Sequence, residues 1–232
     1  IMAVSGSKNF ELDVADYIEE AFERCGLELR TAYDLRTARR SLNLLLAEWA
    51  NRGLNQWTIQ QKTVAMVAGT TSYNVDTTNS TAAIDVLDAF MRQTTNDENI
   101  DIQMTRLSRS EYSSVPNKST TGKPLQFFVD KQLSPTVSVY PTPDKSSTYT
   151  LVMNVLTRMD DVDAATNTLE LPFRFYPCLA AGLAYYISVK KSPERTGLLK
   201  QIYEEEFQRA LEADEDRASL RITPDVSSYN IA

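Results

Sequence analysis

Histidine is absent from the 232 residues. That removes the commonest general base, the commonest metal ligand and the side chain that titrates near neutrality. Glycine is scarce, with 7 residues, less than half of the typical share of about 7%. Neither a Walker A sequence nor a GxGxxG string occurs, so no phosphate-cradling loop is expected. The cysteines, Cys25 and Cys178, lie far apart and form no CxxC pair. They suit neither a secreted disulfide framework nor a zinc site, and read as small apolar residues in a reducing compartment. No run approaches the roughly 20 apolar residues of a membrane span. The longest apolar-rich stretch, Cys178 to Val189, is interrupted by Gly182 and Ser188. No basic segment followed by an apolar one opens the chain, so no signal peptide is expected. Met2, preceded by Ile1, is expected to be the native start, and synthesis is expected in the cytosol. Positive charge is in deficit: 24 Lys and Arg against 31 Asp and Glu, a net −7. Such a chain grips nucleic-acid phosphates poorly, although it could surround DNA without holding it.

What is present is globular. Hydrophobic residues make up 42% and charged ones 24%, enough for one large domain or two modest ones with a core that needs no disulfides. Three blocks differ in texture. In the first, Val14, Ile18, Phe22 and Cys25 recur at helical spacing, with Asp16, Glu19, Glu20 and Glu23 between them, and Gly26 breaks the pattern. Thr31 and Asp34 form a capping box for a second helix. Its stripe is Leu35, Ala38, Leu42, Leu45, Leu46 and Trp49, and Gly53 is expected to end it. Arg36, Arg39, Arg40 and Glu48 lie opposite. The second block, about 55–170, alternates as strands do at 63–67, 73–75, 84–90, 101–107, 125–130, 136–140 and 148–156. A helical turn is expected at Ser108–Ser114, stopped by Pro116. Pro141 to Asp144 is rich in turn formers. An antiparallel sandwich or barrel follows. The third block is helical again. Tyr176, Leu179, Leu183 and Ile187 form one stripe, with Ala180, Ala181 and Ala184 allowing close approach. Ser192-Pro193 reads as an N-cap followed by proline at the first helical position. Leu199, Tyr203, Phe207 and Leu211 face the core of the last helix. Residues 219–232 lose periodicity and read as an extended tail.

Candidate chemistry is sparse. Two S-x-x-K strings, Ser5–Lys8 and Ser188–Lys191, are short enough to arise by chance. Asp160, Asp161 and Asp163, with Asn167 and Glu170, suggest calcium, but an EF-hand register counted from Asp161 places Thr166 and Pro172 where glycine and glutamate are needed; a solvated loop is the expectation. The stretch 203–217 carries Glu204, Glu205, Glu206, Glu212, Asp214, Glu215 and Asp216 against Arg209 and Arg217. It reads as a solvated helix face or as an acidic wall around a pore. Arg24, Arg30, Arg36, Arg39 and Arg40 are the one concentrated basic set. Without interleaved aromatics it is no single-strand platform, and Arg39 and Arg40 are expected to pair with acids on a neighbouring helix or subunit.

Specific strings carry a resemblance. Ala21-Phe-Glu-Arg-Cys-Gly-Leu-Glu-Leu-Arg30 and Tyr33 through Asn55, with its core Leu-Leu-Leu-Ala-Glu-Trp-Ala-Asn-Arg-Gly-Leu-Asn55, resemble the opening of head-to-tail adaptors of short-tailed bacteriophages. These are also called tail accessory or packaged-DNA stabilisation proteins. Val67 to Tyr73, Arg106 to Tyr112, Leu171 to Pro177 and Gly182 to Tyr186 resemble the same family, so that the likeness spans about residues 10–222. The resemblance implies a helical bundle that assembles as a ring, commonly a dodecamer, beneath the portal. The ring continues the DNA channel and meets the tail nozzle or fibre proteins. It implies a structural virion protein of the head–tail junction, made in the host cytoplasm, that is not an enzyme. DNA passes through it without sequence-specific binding, and no cofactor, metal or membrane is implied.

The expected fold class is α+β: a four-helix adaptor bundle of two N-terminal and two C-terminal helices, a large antiparallel β insertion and an extended C-terminal tail. The expected divisions are 1–54 and 171–218 for the bundle, 55–170 for the insertion and 219–232 for the tail. Portal docking is expected of Arg221, Ile222, Pro224, Val226, Tyr229 and Ile231, and subunit contact of Arg36, Arg39, Arg40 and Tyr203. Glu204, Glu205, Glu212 and Asp216 are the channel-facing candidates. Two other readings stay open: a cell-wall glycan hydrolase using two facing carboxylates, and a peptide-binding module built on the β insertion.

Overall fold

A computed structural model of the chain describes residues 10, 12–52, 56–76, 82–95, 98–164, 166 and 168–214. Helix α1 (Val14–Arg24) starts at a reciprocal capping box. Asp13 Oδ1 accepts from the Asp16 amide at 3.0 Å, and Asp16 Oδ2 accepts from the Asp13 amide at 3.3 Å, so two amides without helical partners are satisfied. Gly26, at φ +70, ends the helical path, a conformation open to glycine at little steric cost. Helix α2 (Ala32–Arg52) begins where Thr31 Oγ1 accepts from the Asp34 amide at 3.2 Å. It buries Ala38, Leu42, Leu45, Leu46 and Trp49, while Leu35 is half-buried. Gly53, expected as its cap, lies outside the described residues.

Two further helices complete this part. A 3-10 turn at Phe173–Phe175 leads into α4 (Tyr176–Lys191), and another at Pro193–Arg195 leads into α5 (Thr196–Asp214). The expected stripe on α4 is too narrow. Residues 178–184 are buried without interruption, because α4 packs against α1, α2 and α5 together. Its small residues permit that crowding. A Cβ on Gly182 would stand 2.8 Å from Tyr203 Cε2 and 2.9 Å from Leu45 Cδ2. Ser192 does not cap through its side chain; its hydroxyl donates instead to Glu194 Oε1 at 2.6 Å. Helix α5 buries Leu199, Tyr203, Phe207 and Ala210, with Leu211 half-buried. Side chains from all four helices join one apolar cluster. Its largest fully buried members include Trp49, Tyr17, Tyr203, Phe22 and Phe175.

The middle of the chain is β. Its elements are β1 (Ile59–Ala65), β2 (Ser72–Asn74), β3 (Ala83–Thr95), β4 (Glu98–Gln103) and β5 (Thr105–Leu107), then α3 (Arg109–Ser114). After these come β6 (Thr121–Gly122), β7 (Gln126–Asp130), β8 (Thr136–Tyr140), β9 (Thr142–Pro143) and β10 (Tyr149–Thr157). One sheet has the order β1-β10-β3-β4, a second β2-β8-β7-β5, and β6 pairs with β9. Met91, Leu151, Met153 and Val155 of the first sheet share a cluster with Tyr73, Phe127, Val129, Val137 and Val139 of the second. The two sheets therefore bury facing surfaces, as period-2 alternation in β8 requires.

Several details differ from the sequence expectation. The strand expected at 63–67 starts earlier and is β1, 59–65, and the 141–144 turn contains the short strand β9. The 84–90 region is part of a single 13-residue strand, β3, and its pairing with β10 shifts register near Asn154 and Leu156. The 101–107 strand is split at Met104, where the chain changes sheets: the Met104 amide donates to Ala89 O, and the Thr105 amide donates to Leu125 O, both at 2.9 Å. Helix α3 then carries the chain over, so β5 and β7 run parallel, as a crossover connection dictates. The β6–β9 pair is parallel too, and only the remaining pairings are antiparallel. Helix α3 lies where it was expected, capped by Ser108 and Glu111. The described residues thus form a mixed α+β fold with five α-helices and mainly antiparallel sheets. None of the helices is long and apolar enough to cross a membrane among the described residues.

Candidate functional site

The ionisable side chains mostly join elements together. Arg52, at the end of α2, donates to Glu204 of α5 through Nη1 at 2.6 Å and Nη2 at 2.8 Å, and to Glu48 through Nε at 2.8 Å. Its guanidinium also lies 5.1 Å from the Tyr203 ring and 4.8 Å from the Phe207 ring, within cation–π range. Tyr186 of α4 donates to Glu48 Oε2 at 2.9 Å, and Trp49 Nε1 donates to Tyr203 Oη at 2.9 Å. One cluster thus ties α2, α4 and α5. The Arg52 guanidinium holds the Glu204 carboxyl below its ordinary value. Burial, then the bond to Glu48, pushes the Tyr186 phenol up to about 12, and burial also raises Tyr203. At the C-terminal end of α4, Lys191 pairs with Asp34, whose carboxyl it lowers, and Lys190 donates to Ser41 Oγ at 2.7 Å. Arg174 pairs with Asp214.

The same style holds in the sheets. Arg106 donates to Val86 O at 2.8 Å and to Asp85 Oδ1 at 2.9 Å, and Lys131 lies 2.6 Å from Asp85. Arg109 bonds Asp130 at 2.6 Å, while Tyr112 stacks on Phe128 at 5.0 Å. Tyr73 Oη donates to Thr70 O at 2.9 Å, closing its own turn. A strap between the sheets and α4 is fastened to α2. Asn43 Nδ2 donates to Val162 O at 3.1 Å, the Val162 amide returns a bond to Asn43 Oδ1 at 2.9 Å, and Arg39 donates to Asp163 O.

The residues singled out from sequence fall in different places. Arg36 and Arg40 are exposed on α2, and neither makes an ion pair among the described residues. Arg39 is half-buried and holds the strap in its own chain, where an acidic partner had been expected. Tyr203, expected at a subunit contact, is 0% exposed; it belongs to the core because α4 and α5 cross upon it. Glu204, expected to face a channel, is engaged by Arg52. Glu205 and Glu212 are exposed, within reach of the α5 amides Gln201 and Gln208. Asp216 and the portal-docking set Arg221, Ile222, Pro224, Val226, Tyr229 and Ile231 lie outside the described residues. The Arg52 cluster was missed, although Glu48 and Arg52 stand at the i, i+4 spacing of a helical ion pair.

A cleft of about 760 Å³ lies between the strap and the end of β10, lined by Trp57, Arg158 and Leu171 among others. Its carboxylates, Asp160, Asp161, Asp163 and Glu170, are all exposed, and Arg158 pairs with Asp161 at 3.1 Å. A glycosidase acid needs the opposite, a carboxyl lifted in pKa by burial. Ser188 donates to Tyr185 O at 2.7 Å while Lys191 turns to Asp34, so that S-x-x-K string brings no nucleophile to its lysine; Ser5–Lys8 lies outside the described residues. Among the described residues no group of three or more potential ligands could hold a metal ion. Cys25 and Cys178 are buried, and burial raises both thiols, which leaves them inert.

The described residues form an α+β scaffold whose charges fasten one element to the next. The chain belongs to the SU10 adaptor protein family, whose model matches residues 12–227. That makes it a structural adaptor of a phage virion, in agreement with the resemblance to head-to-tail adaptors. A comparison with curated proteins found no match.

Proposed function

We propose that this protein is the head-to-tail adaptor that forms a closed ring between portal and tail and continues the DNA channel. The observation that carries the reading is the family match over nearly the whole chain. Helices α1, α2, α4 and α5 serve as the adaptor bundle and ring body, and the two β sheets form an insertion turned to the nozzle or fibre proteins. Residues 219–232 dock on the portal through the set from Arg221 to Ile231. Glu205 and Glu212, exposed on α5, and Asp216 give the channel an acidic wall. Such a wall repels phosphates and releases no counterions from DNA, so DNA slides without sticking.

The test is molecular mass in solution by light scattering, for the protein alone and after mixing with the portal of the same virus. A ring of defined subunit number on the portal is expected, commonly a dodecamer. A protein that stays monomeric and does not co-elute with the portal refutes the reading.

A further inference from the structure

We propose that the lateral contact of the ring, resting on the reading above, is made by the outer face of α2 from one subunit in the α1/α4 groove of the next. On α2 the exposed positions Tyr33, Arg36, Arg40, Leu44, Ala47 and Asn51 recur every three or four residues and form one stripe. Tyr33 is 64% and Leu44 54% exposed, large side chains for an unoccupied surface. Between them stand Arg36 and Arg40, without ion pairs among the described residues.

The complementary surface is on the same molecule. A groove of about 610 Å³ runs between α1 and the start of α4. Phe10, Leu12, Tyr176, Pro177 and Ala180 supply its apolar lining, and Asp16, Glu19, Glu20 and Glu23, with the one cation Arg24, its mainly acidic rim. Glu20 is held by Arg24 at 2.7 Å and Asp16 caps its own helix, which leaves Glu19 and Glu23 without a cation among the described residues. An amphipathic helix laying large side chains into such a groove is a recurring recognition mode. Here the stripe supplies the apolar anchors and two arginines, and the groove supplies the floor and two carboxylates.

The two surfaces do not share a side of the subunit. The stripe is the face of α2 turned away from α4, whereas α4 itself forms one wall of the groove. The α2 stripe of one copy therefore cannot reach that copy's own groove, and a head-to-tail contact using two different faces closes into a ring when the rotation per subunit permits.

Charge reversal tests this on the full chain with the portal. One variant carries R36E and R40E, the second E19K and E23K, and a third all four changes. Mass on the portal is read by light scattering, and folding by circular dichroism. Each two-site variant alone is expected to lose ring assembly at least tenfold in the concentration it requires. An equimolar mixture of the two is expected to restore it, because every contact in an alternating ring then joins opposite charges; the four-site variant is expected to assemble alone. If both two-site variants fold and form wild-type rings, the contact is overturned and the ring stands. If wild-type protein itself forms no ring on the portal, the ring reading and this contact fall together. Folded two-site variants that fail alone, fail when mixed and fail when combined would also overturn it, since loss without rescue is not charge complementarity.

Discussion

Replacing Gly182 by alanine adds one methyl group at a crowded helix crossing. That carbon would lie 2.8 Å from Tyr203 Cε2 and 2.9 and 3.0 Å from the two methyls of Leu45, closer than side-chain carbons pack. Neither neighbour yields easily. Tyr203 is 0% exposed, accepts from Trp49 Nε1 at 2.9 Å and lies under the Arg52 guanidinium; Leu45 is 0% exposed as well. Overpacking of this kind costs about 1–3 kcal/mol. Alanine in mid-helix recovers about 1 kcal/mol of backbone propensity, so the expected net loss reaches about 2 kcal/mol. Gly197, in the first turn of α5, is the internal control, since a Cβ there meets nothing within 4 Å. Gly197→Ala keeps only the propensity gain, at most about 1 kcal/mol. Urea unfolding followed by circular dichroism reads both. With a slope of about 2 kcal/mol per molar, the midpoint of Gly182→Ala falls by up to about 1 M while that of Gly197→Ala rises by up to about 0.5 M. Adding Leu45→Ala to Gly182→Ala should cost less than the sum of the separate losses, because one change vacates part of what the other fills. A Gly182→Ala protein whose midpoint rises like that of Gly197→Ala would falsify the packing argument.

Other expectations follow from the ion pairs and the missing histidine. A double-mutant cycle on Arg52 and Glu204 should show coupling of about 1 kcal/mol, reduced from a buried pair's value because both side chains reach solvent; additive losses would dissolve the clamp between α2 and α5. Stability should be flat between about pH 5 and 8, since the chain has no histidine. It should decline in acid: Asp34, Asp101, Glu111, Glu194 and Glu204 all have folded values below the ordinary 3.8 or 4.5. Their contribution is present above the unfolded values and is lost as pH falls through the folded ones. Urea midpoints across an acid series check this, and a maximum below pH 4 would contradict it. In alkali the phenols of Tyr17, Tyr186 and Tyr203, all raised chiefly by burial, should ionise together with unfolding. Tyrosinate absorbance rising well before the loss of circular dichroism would show them open to solvent.

Much of the helical part was legible because its apolar spacing is regular. Val14, Ile18, Phe22 and Cys25, and Leu42, Leu45, Leu46 and Trp49, are buried where the 3.6-residue period places them. The period fails on α4, because a helix surrounded by three others has no polar face to complete it. Strand positions were legible from alternation, but strand direction was not. The reversal of β5 depends on the chain changing sheets at Met104, and an apolar residue there reads like any inward position. For the candidate surfaces, charge marked the α2 arginines and the α5 acids, yet charge is silent on pairing. Glu204 and Glu205 are neighbours in sequence, and only the first meets Arg52. The α1 acids read as solvent-facing spacers until α4 supplied the second wall of their groove.

The strap on α2 also has a mechanical meaning. The sheets join the helices through two chain segments, the one leaving α2 and the one returning to α4. The returning segment is riveted midway along α2 by the paired Asn43–Val162 bonds and by Arg39. A pull on the sheets along this segment is thus delivered to the flank of a 21-residue helix before it can reach the start of α4. The polar bonds at Asn43 and Arg39 would share that load with α2, and Asn43 stands within one turn of Leu45 at the crowded Gly182 crossing.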